Sequence, residues 1–259
     1  MLAAEGSELA GRVALVTGGG RGIGKAIALG LAADGADIAV NYRKDEAAAA
    51  ETVAEIERLG RRAVAYAAPV DDGEACTAMV TRVLDDFGAV DILVNNAGIA
   101  SRGHTVADTD PAEMERVWRT HAFGAWTCAK LVLPSMRTRP RGDIVMISSA
   151  AVVHMAANSA PYNMAKAALE ALAWTLAKEE RRDGIHVNVV APGLVDTEMG
   201  RRLMKGAAGI DDIRTLDARS PFGHVCSPEE VADAVRFVVS ERASYVTGQR
   251  IGVDGGLFQ

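Results

Sequence analysis

The chain has 259 residues, 49% of them apolar, so it can bury a full core, and its formal charge of −6 argues against nucleic-acid or anionic-membrane binding as a main activity. No apolar run approaches the roughly 20 residues that cross a bilayer, and Met1–Arg12 lacks a charged start followed by an apolar stretch, so neither a span nor a signal peptide is expected. Cys76, Cys128 and Cys226 lie far apart without metal-ligand spacing, which predicts reduced thiols in a cytoplasmic protein and no metal site.

Along the chain, short β-rich runs alternate with longer helical patterns. Arg12–Thr17 reads as a first strand, followed by a helix from about Gly22 to Asp34. Asp37–Asn41 reads as the second strand and Asp45–Gly60 as an alanine-rich helix stopped by its glycine. Ala63–Ala67 and Asp72–Gly88 repeat the pair, and Asp91–Asn95 is a strand of buried type. Asp110-Pro111 supplies an N-cap and a first-turn proline for one long helix to about Met136. A strand at Asp143–Ser148, a helix at Tyr162–Arg182 and a strand at Ile185–Val190 follow. From Ala191 to Pro228 the pattern weakens, and such an irregular stretch predicts a substrate lid over about 194–226. Pro228–Ser240 and Arg250–Val253 close the series as helix and strand. The alternation predicts an α/β fold: one domain over 1–259, built on a doubly wound parallel sheet of about seven strands with helices on both faces.

Three residues carry the chemistry. Tyr162 and Lys166 lie four apart in a helical stretch, so both point the same way. A phenol has an ordinary pKa of roughly 10, and a neighbouring ammonium favours the phenolate, which moves the tyrosine toward acid–base work. Ser149, thirteen residues before Tyr162, ends an apolar run and is placed to hydrogen-bond a substrate oxygen. Tyr-x-x-x-Lys alone is common; here it is joined by Thr17-Gly18-Gly19-Gly20-Arg21-Gly22-Ile23-Gly24 between the first strand and the first helix. Glycines let backbone approach a pyrophosphate closely, and the helix start then offers free N–H groups to it.

Thr17–Gly24, Asn95-Asn96-Ala97-Gly98, Ser149, Tyr162-x-x-x-Lys166 and Pro192-Gly193 together resemble the compact branch of the short-chain dehydrogenase/reductase family, most closely its 3-oxoacyl-[acyl-carrier-protein] reductases and related carbonyl reductases. The resemblance implies a Rossmann-type fold and hydride transfer between a nicotinamide cofactor and a ketone or secondary alcohol. It makes Tyr162 the general acid–base, has Lys166 lower its pKa while binding the nicotinamide ribose, and has Ser149 polarise the substrate carbonyl. Gly18, Gly20, Arg21, Gly22, Ile23 and Gly24 would line the pyrophosphate, with Val70, Asn96, Ala97 and Gly98 on the adenosine side. Asn95 would brace the central strands. Pro192, Gly193, Val195 and Thr197 would lie beside the nicotinamide, with Thr197 holding its carboxamide. By the same resemblance the chain is expected to form a homotetramer.

The end of the second strand reads Asn41-Tyr42-Arg43, with no carboxylate to bind a ribose 2′-hydroxyl and repel a 2′-phosphate. With Arg21 in the glycine loop, this favours NADP(H) over NAD(H), NAD(H) remaining possible. Two departures from the family pattern stand out. Pro69-Val70 replaces an Asp-Val pair at the adenine, and His121 replaces an asparagine that supports proton supply behind the lysine. Imidazole donates, accepts and titrates near neutrality, so His121 either serves that relay or only fills space. Arg137, Arg139, Arg141 and Arg181-Arg182 are a basic surface that an acidic acyl-carrier protein needs, although solvated arginines near helix ends are common. Two rivals remain: an NAD-dependent alcohol, polyol or sugar dehydrogenase working oxidatively, and a nucleotide-sensing regulator. A regulator of that kind has no need of Ser149, Tyr162 and Lys166, which this chain keeps.

Overall fold

Each central strand is a short run of apolar residues whose alternate side chains leave on opposite faces, so each run is buried twice over. The computed structural model describes residues 8–257, so most of Met1–Arg12, on which the signal-peptide expectation rests, lies outside the described residues. Its strands are β1 (Val13–Val16), β2 (Asp37–Tyr42), β3 (Ala63–Ala67), β4 (Ile92–Asn95), β5 (Gly142–Ile147), β6 (Ile185–Pro192) and β7 (Arg250–Val253). They form a parallel sheet in the order β3-β2-β1-β4-β5-β6-β7. The helices are α1 (Gly22–Ala33), α2 (Glu46–Arg58), α3 (Gly73–Phe87), α4 (Pro111–Trp118), α5 (Gly124–Met136), α6 (Ala151–His154), α7 (Ala160–Glu180), α8 (Glu198–Ala208) and α9 (Pro228–Val239).

Leu15, Leu93, Ile144 and Val187 pack on one face of the sheet with residues of α3, α5 and α7. Ala14, Val16, Ile92 and Val145 pack on the other with α1, α2 and α9. The doubly wound sheet expected from the alternation is therefore present, with seven strands and both faces covered. The direction in which successive strands are added reverses between β1 and β4, and the carboxyl ends there form a crevice in which ligands bind in such sheets. Among the described residues, no helix is long and apolar enough to cross a membrane.

Local chemistry explains most helix starts. Asp45, Asp72 and Asp110 each accept a hydrogen bond from a first-turn N–H, and Ser227 with Glu230 forms a reciprocal capping box ahead of Pro228. Two expectations are corrected. The single helix from Asp110 to Met136 is interrupted by a π-helical turn, Arg119–Phe123, where the Gly124 N–H reaches back to the Arg119 carbonyl. Gly124 lies so close to Val70 that a Cβ there would fall 2.6 Å from the Val70 carbonyl oxygen, a contact that only glycine permits. The irregular stretch after Ala191 contains the eleven-residue helix α8, capped by the Thr197 hydroxyl and ended by Gly209 at φ 67°. Only Gly200 of that helix is buried, so its apolar residues, Met199 and Leu203 one turn apart, face outward instead of packing on the core.

At the amino end of the sheet, Arg12 joins four elements. It donates to the Asp143 carboxylate at 2.6 Å, to the Asp91 carbonyl at 3.2 Å and to the Val239 carbonyl at 2.9 Å. Asp143, only 2% exposed, is also held by Arg141, and Asp91 by Arg139. Burial pushes the Asp143 carboxyl up from its ordinary value, against the pull of the two arginines. Arg12→Met leaves that buried carboxylate half-paired. It should lower the unfolding free energy by about 2 kcal/mol, measured as a fall in the denaturant midpoint at neutral pH; an unchanged midpoint would show that the network contributes nothing net.

Candidate active site

The glycine loop follows β1, and its shape is set by hydrogen bonds to the loop after β4. The Thr17 hydroxyl accepts from the Asn96 and Ala97 N–H groups, both at 3.0 Å, and lies 3.2 Å from the Val94 carbonyl to which it donates. The Asn96 side-chain amide donates to the Thr17 carbonyl at 2.9 Å and to the Gly18 carbonyl at 3.2 Å. Gly18 and Gly22 hold φ of 62° and 54°, a region side chains avoid. A Cβ on Gly24 would overlap the Gly18 carbonyl and the Asn96 amide. No side chain caps α1 at Arg21, so its first-turn N–H groups face the loop uncapped. Gly22 packs against Thr197, which brings the glycine loop to the stretch after β6. A backbone cradle at an uncapped helix start fits the pyrophosphate of a dinucleotide.

The remaining cofactor candidates divide by how free their side chains are. Asn41 is 1% exposed and its amide is spent inside the protein, accepting from the Gly18 N–H at 3.2 Å and donating to the Tyr66 and Ala68 carbonyls. It shapes the loop rather than offering a side chain to ribose. Tyr42 is partly buried beside it, and Arg43 is exposed, 3.6 Å from the Asp71 carboxylate. Arg21 reaches Glu198 at 3.1 Å and Asp45 at 4.0 Å, all three exposed. Val70 is buried against α5, and its carbonyl accepts from the Cys76 thiol at 3.5 Å. Pro192 ends β6, Gly193 packs on Asp254, and Val195 bridges to Cys226. The Thr197 hydroxyl accepts from the Gly200 N–H at 3.0 Å, so capping α8 already engages the group expected at the carboxamide. Asn95 is buried and donates to the Met146 sulfur at 3.3 Å, the bracing of β4 on β5 that was expected.

Ser149, Tyr162 and Lys166 come together beyond the carboxyl end of β5. The Ser149 hydroxyl accepts from the Ala151 N–H at 3.1 Å and stands close enough to the Tyr162 phenol to pull its pKa down. Met155 and Asn158, between Ser149 and Tyr162, hold φ of 47° and 61°, so the segment that aims these two hydroxyls toward each other is strained. Lys166 is buried, and its Nζ donates to the Ile147 carbonyl at 2.6 Å and lies 5.8 Å from the Tyr162 ring centre. Burial pulls the Lys166 ammonium down to about 7, with the Glu170 charge opposing. Burial raises the Tyr162 phenol, and the Ser149 hydrogen bond opposes that rise. The expectation that Lys166 draws Tyr162 toward the phenolate is not what this arrangement shows. Both groups are shifted toward their neutral forms, burial being the largest cause for each.

His121 lies in the π-helical turn, 3% exposed. Its Nε2 is 2.8 Å from the Ile99 carbonyl and 3.1 Å from the Ile99 N–H, and its ring stands edge-on to Tyr162 with centres 5.3 Å apart. A Cβ on Gly98 would fall 2.6 Å from its Cε1, so the ring occupies the space that this glycine leaves. Burial, then the charge of Lys166, push its pKa down to about 3, against the Ile99 bond. The expectation of a ring that titrates near neutrality is thereby corrected. His121 lines a cavity of about 10 Å³, bounded also by Thr17, Asn95, Ala97 and Thr120, with space for about one water. Sequence reasoning missed Glu170 and Arg250 behind Ser149, where the only signal was the spacing of Glu170, one turn beyond Lys166 on α7.

A family model described as enoyl-(acyl carrier protein) reductase matches residues 18–258. The chain is 37% identical, over 96% of its length and 98% of the relative's, to a 3-oxoacyl-[acyl-carrier-protein] reductase of Synechocystis sp. (strain ATCC 27184 / PCC 6803 / Kazusa). The chain belongs to the short-chain dehydrogenase/reductase family. As a short-chain dehydrogenase/reductase it is an oxidoreductase acting on CH–OH or carbonyl groups. It is also 35% identical to L-rhamnose 1-dehydrogenase (NAD(P)(+)) of Sphingomonas sp. (strain SKA58), over 96% of the chain and 97% of the relative. The crystal structure of L-sorbose reductase from Gluconobacter frateurii, complexed with NADPH and L-sorbose, superimposes with a TM-score of 0.90 at 33% identity, covering 99% of both chains. These relatives act on different substrates, so membership fixes the chemistry and leaves the substrate open.

The His121 ring should remain neutral between about pH 5 and about pH 8. Histidine-labelled protein should therefore show unchanging His121 ring shifts by NMR over that interval, with His121→Asn used for assignment. A midpoint near the ordinary value of 6.5 would restore the titrating relay.

Proposed function

We propose that this short-chain dehydrogenase/reductase interconverts a ketone and a secondary alcohol with NADP(H), using Tyr162 as general acid–base. The observation that carries the reading is the convergence of Tyr162 with Ser149 and the buried Lys166 beyond β5, because two adjacent donors can converge on one carbonyl oxygen. Ser149 holds and polarises that oxygen. Tyr162, kept protonated by burial, delivers its proton to the oxygen in reduction and recovers it in oxidation. Gly18, Gly20, Gly22, Ile23 and Gly24 would hold the pyrophosphate, and Ala97, Gly98, Pro192, Gly193 and Val195 would flank the adenosine and nicotinamide sides. When bound, the nicotinamide supplies or accepts the hydride at the carbonyl carbon. Lys166, anchored on Ile147, sits behind Tyr162 to restore its proton, and His121 holds the Ile99 backbone beside it.

NADP(H) is favoured by the exposed Arg21 and Arg43, whose present partners are carboxylates in surface ion pairs worth little. A 2′-phosphate offers both guanidiniums a stronger partner. The lid reading rests on α8, whose exposed Met199 and Leu203 lie one turn apart near the site. Exposed Trp118, Trp126 and Trp174 on α4, α5 and α7 support a homotetramer paired through those helices. All three cysteines are unpaired thiols, in keeping with a cytoplasmic enzyme. A 3-oxoacyl thioester is the finer substrate reading, and the partly exposed Arg137 and Arg139 are its docking candidates.

A panel of ketones, sugars and acetoacetyl thioesters, followed by loss of NADPH or NADH absorbance, tests the reading. Reduction of at least one ketone is expected, with higher kcat/KM for NADPH than for NADH, and a loss of at least about a hundredfold in Tyr162→Phe. Full activity in that variant overturns the mechanism, and an equal or better kcat/KM with NADH overturns the cofactor choice. Light scattering should give four times the 27.2 kDa chain mass; a monomer contradicts the assembly.

A further inference from the structure

Behind Ser149 lies an ion pair that the reaction as described does not use. Glu170 projects from α7 one turn beyond Lys166 and is 1% exposed. Its Oε1 accepts from the Ser148 hydroxyl at 2.6 Å and from Arg250 Nε at 3.1 Å. Arg250 opens the edge strand β7, paired with Val189 of β6, and its Nη2 donates to the Ser149 carbonyl at 3.2 Å. The two residues that follow β5 are thus held from behind: Ser148 by its hydroxyl and Ser149 by its backbone. The same carboxylate stands one helical turn from the Lys166 ammonium. The charged or titratable groups around Lys166 are Tyr162 and Glu170 on its own helix, His121 on the π-helical turn and, through Glu170, Arg250 on β7.

We propose that Glu170 and Arg250 are a positioning pair that fixes the backbone of the catalytic serine and supplies the counter-charge to Lys166, so that the C-terminal strand β7 tunes the proton-supply side of the site. This rests on the acid–base roles given above to Ser149, Tyr162 and Lys166. A purely structural ion pair would tie β7 to α7 and nothing more. The two roles differ in sign. Removing the negative charge of Glu170 makes an ammonium at Lys166 less favourable. Removing the positive charge of Arg250 leaves Glu170 to act on Lys166 unopposed and makes it more favourable. A structural pair lowers stability in both variants and moves Lys166 in neither.

The test follows the Lys166 side-chain carbon signal by NMR across pH in lysine-labelled full-length protein, assigned with Lys166→Arg, for the parent, Glu170→Gln and Arg250→Met. Glu170→Gln keeps an acceptor for Ser148 while removing the charge. Its Lys166 midpoint should fall by about one pH unit, and that of Arg250→Met should rise. In parallel, with a ketone turned over by the parent, Arg250→Met should lower kcat by about tenfold or more through the loosened Ser149 backbone. Its KM for NADPH should stay unchanged, because the glycine loop follows β1, which β6, β5 and β4 separate from β7. Arg250→Lys, which restores the charge but not the two-pronged geometry, should return the midpoint without returning kcat. Superimposable Lys166 titrations in folded Glu170→Gln and Arg250→Met overturn the proposal, as does a parent-like kcat in Arg250→Met. If Tyr162→Phe is fully active, it is the underlying acid–base reading that fails, and the lysine titrations still report on the pair by themselves.

Discussion

The constraint on which the site depends is the joining of the chain after β1 to the chain after β4. Those strands are neighbours in the sheet although two βα units separate them in sequence, so the crossover must open a crevice at their carboxyl ends. Thr17 and Asn96 fill that crevice with hydrogen bonds, and every one of them involves backbone of the opposite loop or of β4. The glycines follow from this. With the Asn96 amide lying against the loop and the Gly18 carbonyl turned toward α1, no side chain fits at position 24. The dinucleotide cradle is therefore a consequence of sheet order, fixed before any ligand arrives.

Catalytic groups are assembled on the other side of the crevice under a different rule. The groups proposed for acid–base work, Tyr162 and Lys166, and the His121 ring beside them are packed where water is scarce, and each is shaped by what it would cost to be charged there. His121 resolves this by staying neutral and spending its Nε2 on the Ile99 backbone. Lys166 retains a carbonyl partner and a carboxylate one turn away, and so stays close to the point at which it gains or loses a proton. A group near that point exchanges protons readily at neutral pH, which an ordinary lysine does not. The low accessibility that opposes charge in the pair is thus what would make the lysine useful to its tyrosine in the proposed proton transfer.

Much of this was legible in the sequence because it rests on spacing. Strand–helix alternation gave the doubly wound sheet, Asp110-Pro111 gave a helix start, and the thirteen residues from Ser149 to Tyr162 selected the serine whose hydroxyl meets the phenol. The features that escaped depend on contacts distant in sequence. The π-helical turn ends at Gly124, which lies on the Val70 carbonyl, a contact between residues 54 positions apart that no local pattern announces. Asn41 reads as a cofactor residue by position, yet its amide is consumed by the carbonyls of β3 and the loop after it. Arg250 and Glu170 lie 80 residues apart and meet only because β7 is the last strand laid down. The helix α8 escaped for a different reason: it lies in a stretch rich in glycine and charge, and its apolar residues, Met199 and Leu203 one turn apart, stay exposed rather than joining the core.

That last feature separates the two halves of the site by physical character. The cofactor side is built from buried hydrogen bonds and glycine contacts that tolerate no change, and for that reason it can be read from a motif. The side proposed for substrate is bordered by α6 and α8, with Val153, Met155, Met199 and Leu203 exposed. Residues that pack against nothing in the protein are free to vary without cost to the fold. Relatives at 35–37% identity that act on a sugar in one case and a 3-oxoacyl thioester in another are what such a division produces. The reaction belongs to the part of the chain that folding constrains, and the choice of substrate to the part that it does not. Arg250 lies on the constrained side yet sits on an edge strand, within reach of the C-terminal segment that follows it. If the serine is tuned from there, changes at the far end of the chain can alter the chemical step while the cradle remains as it is.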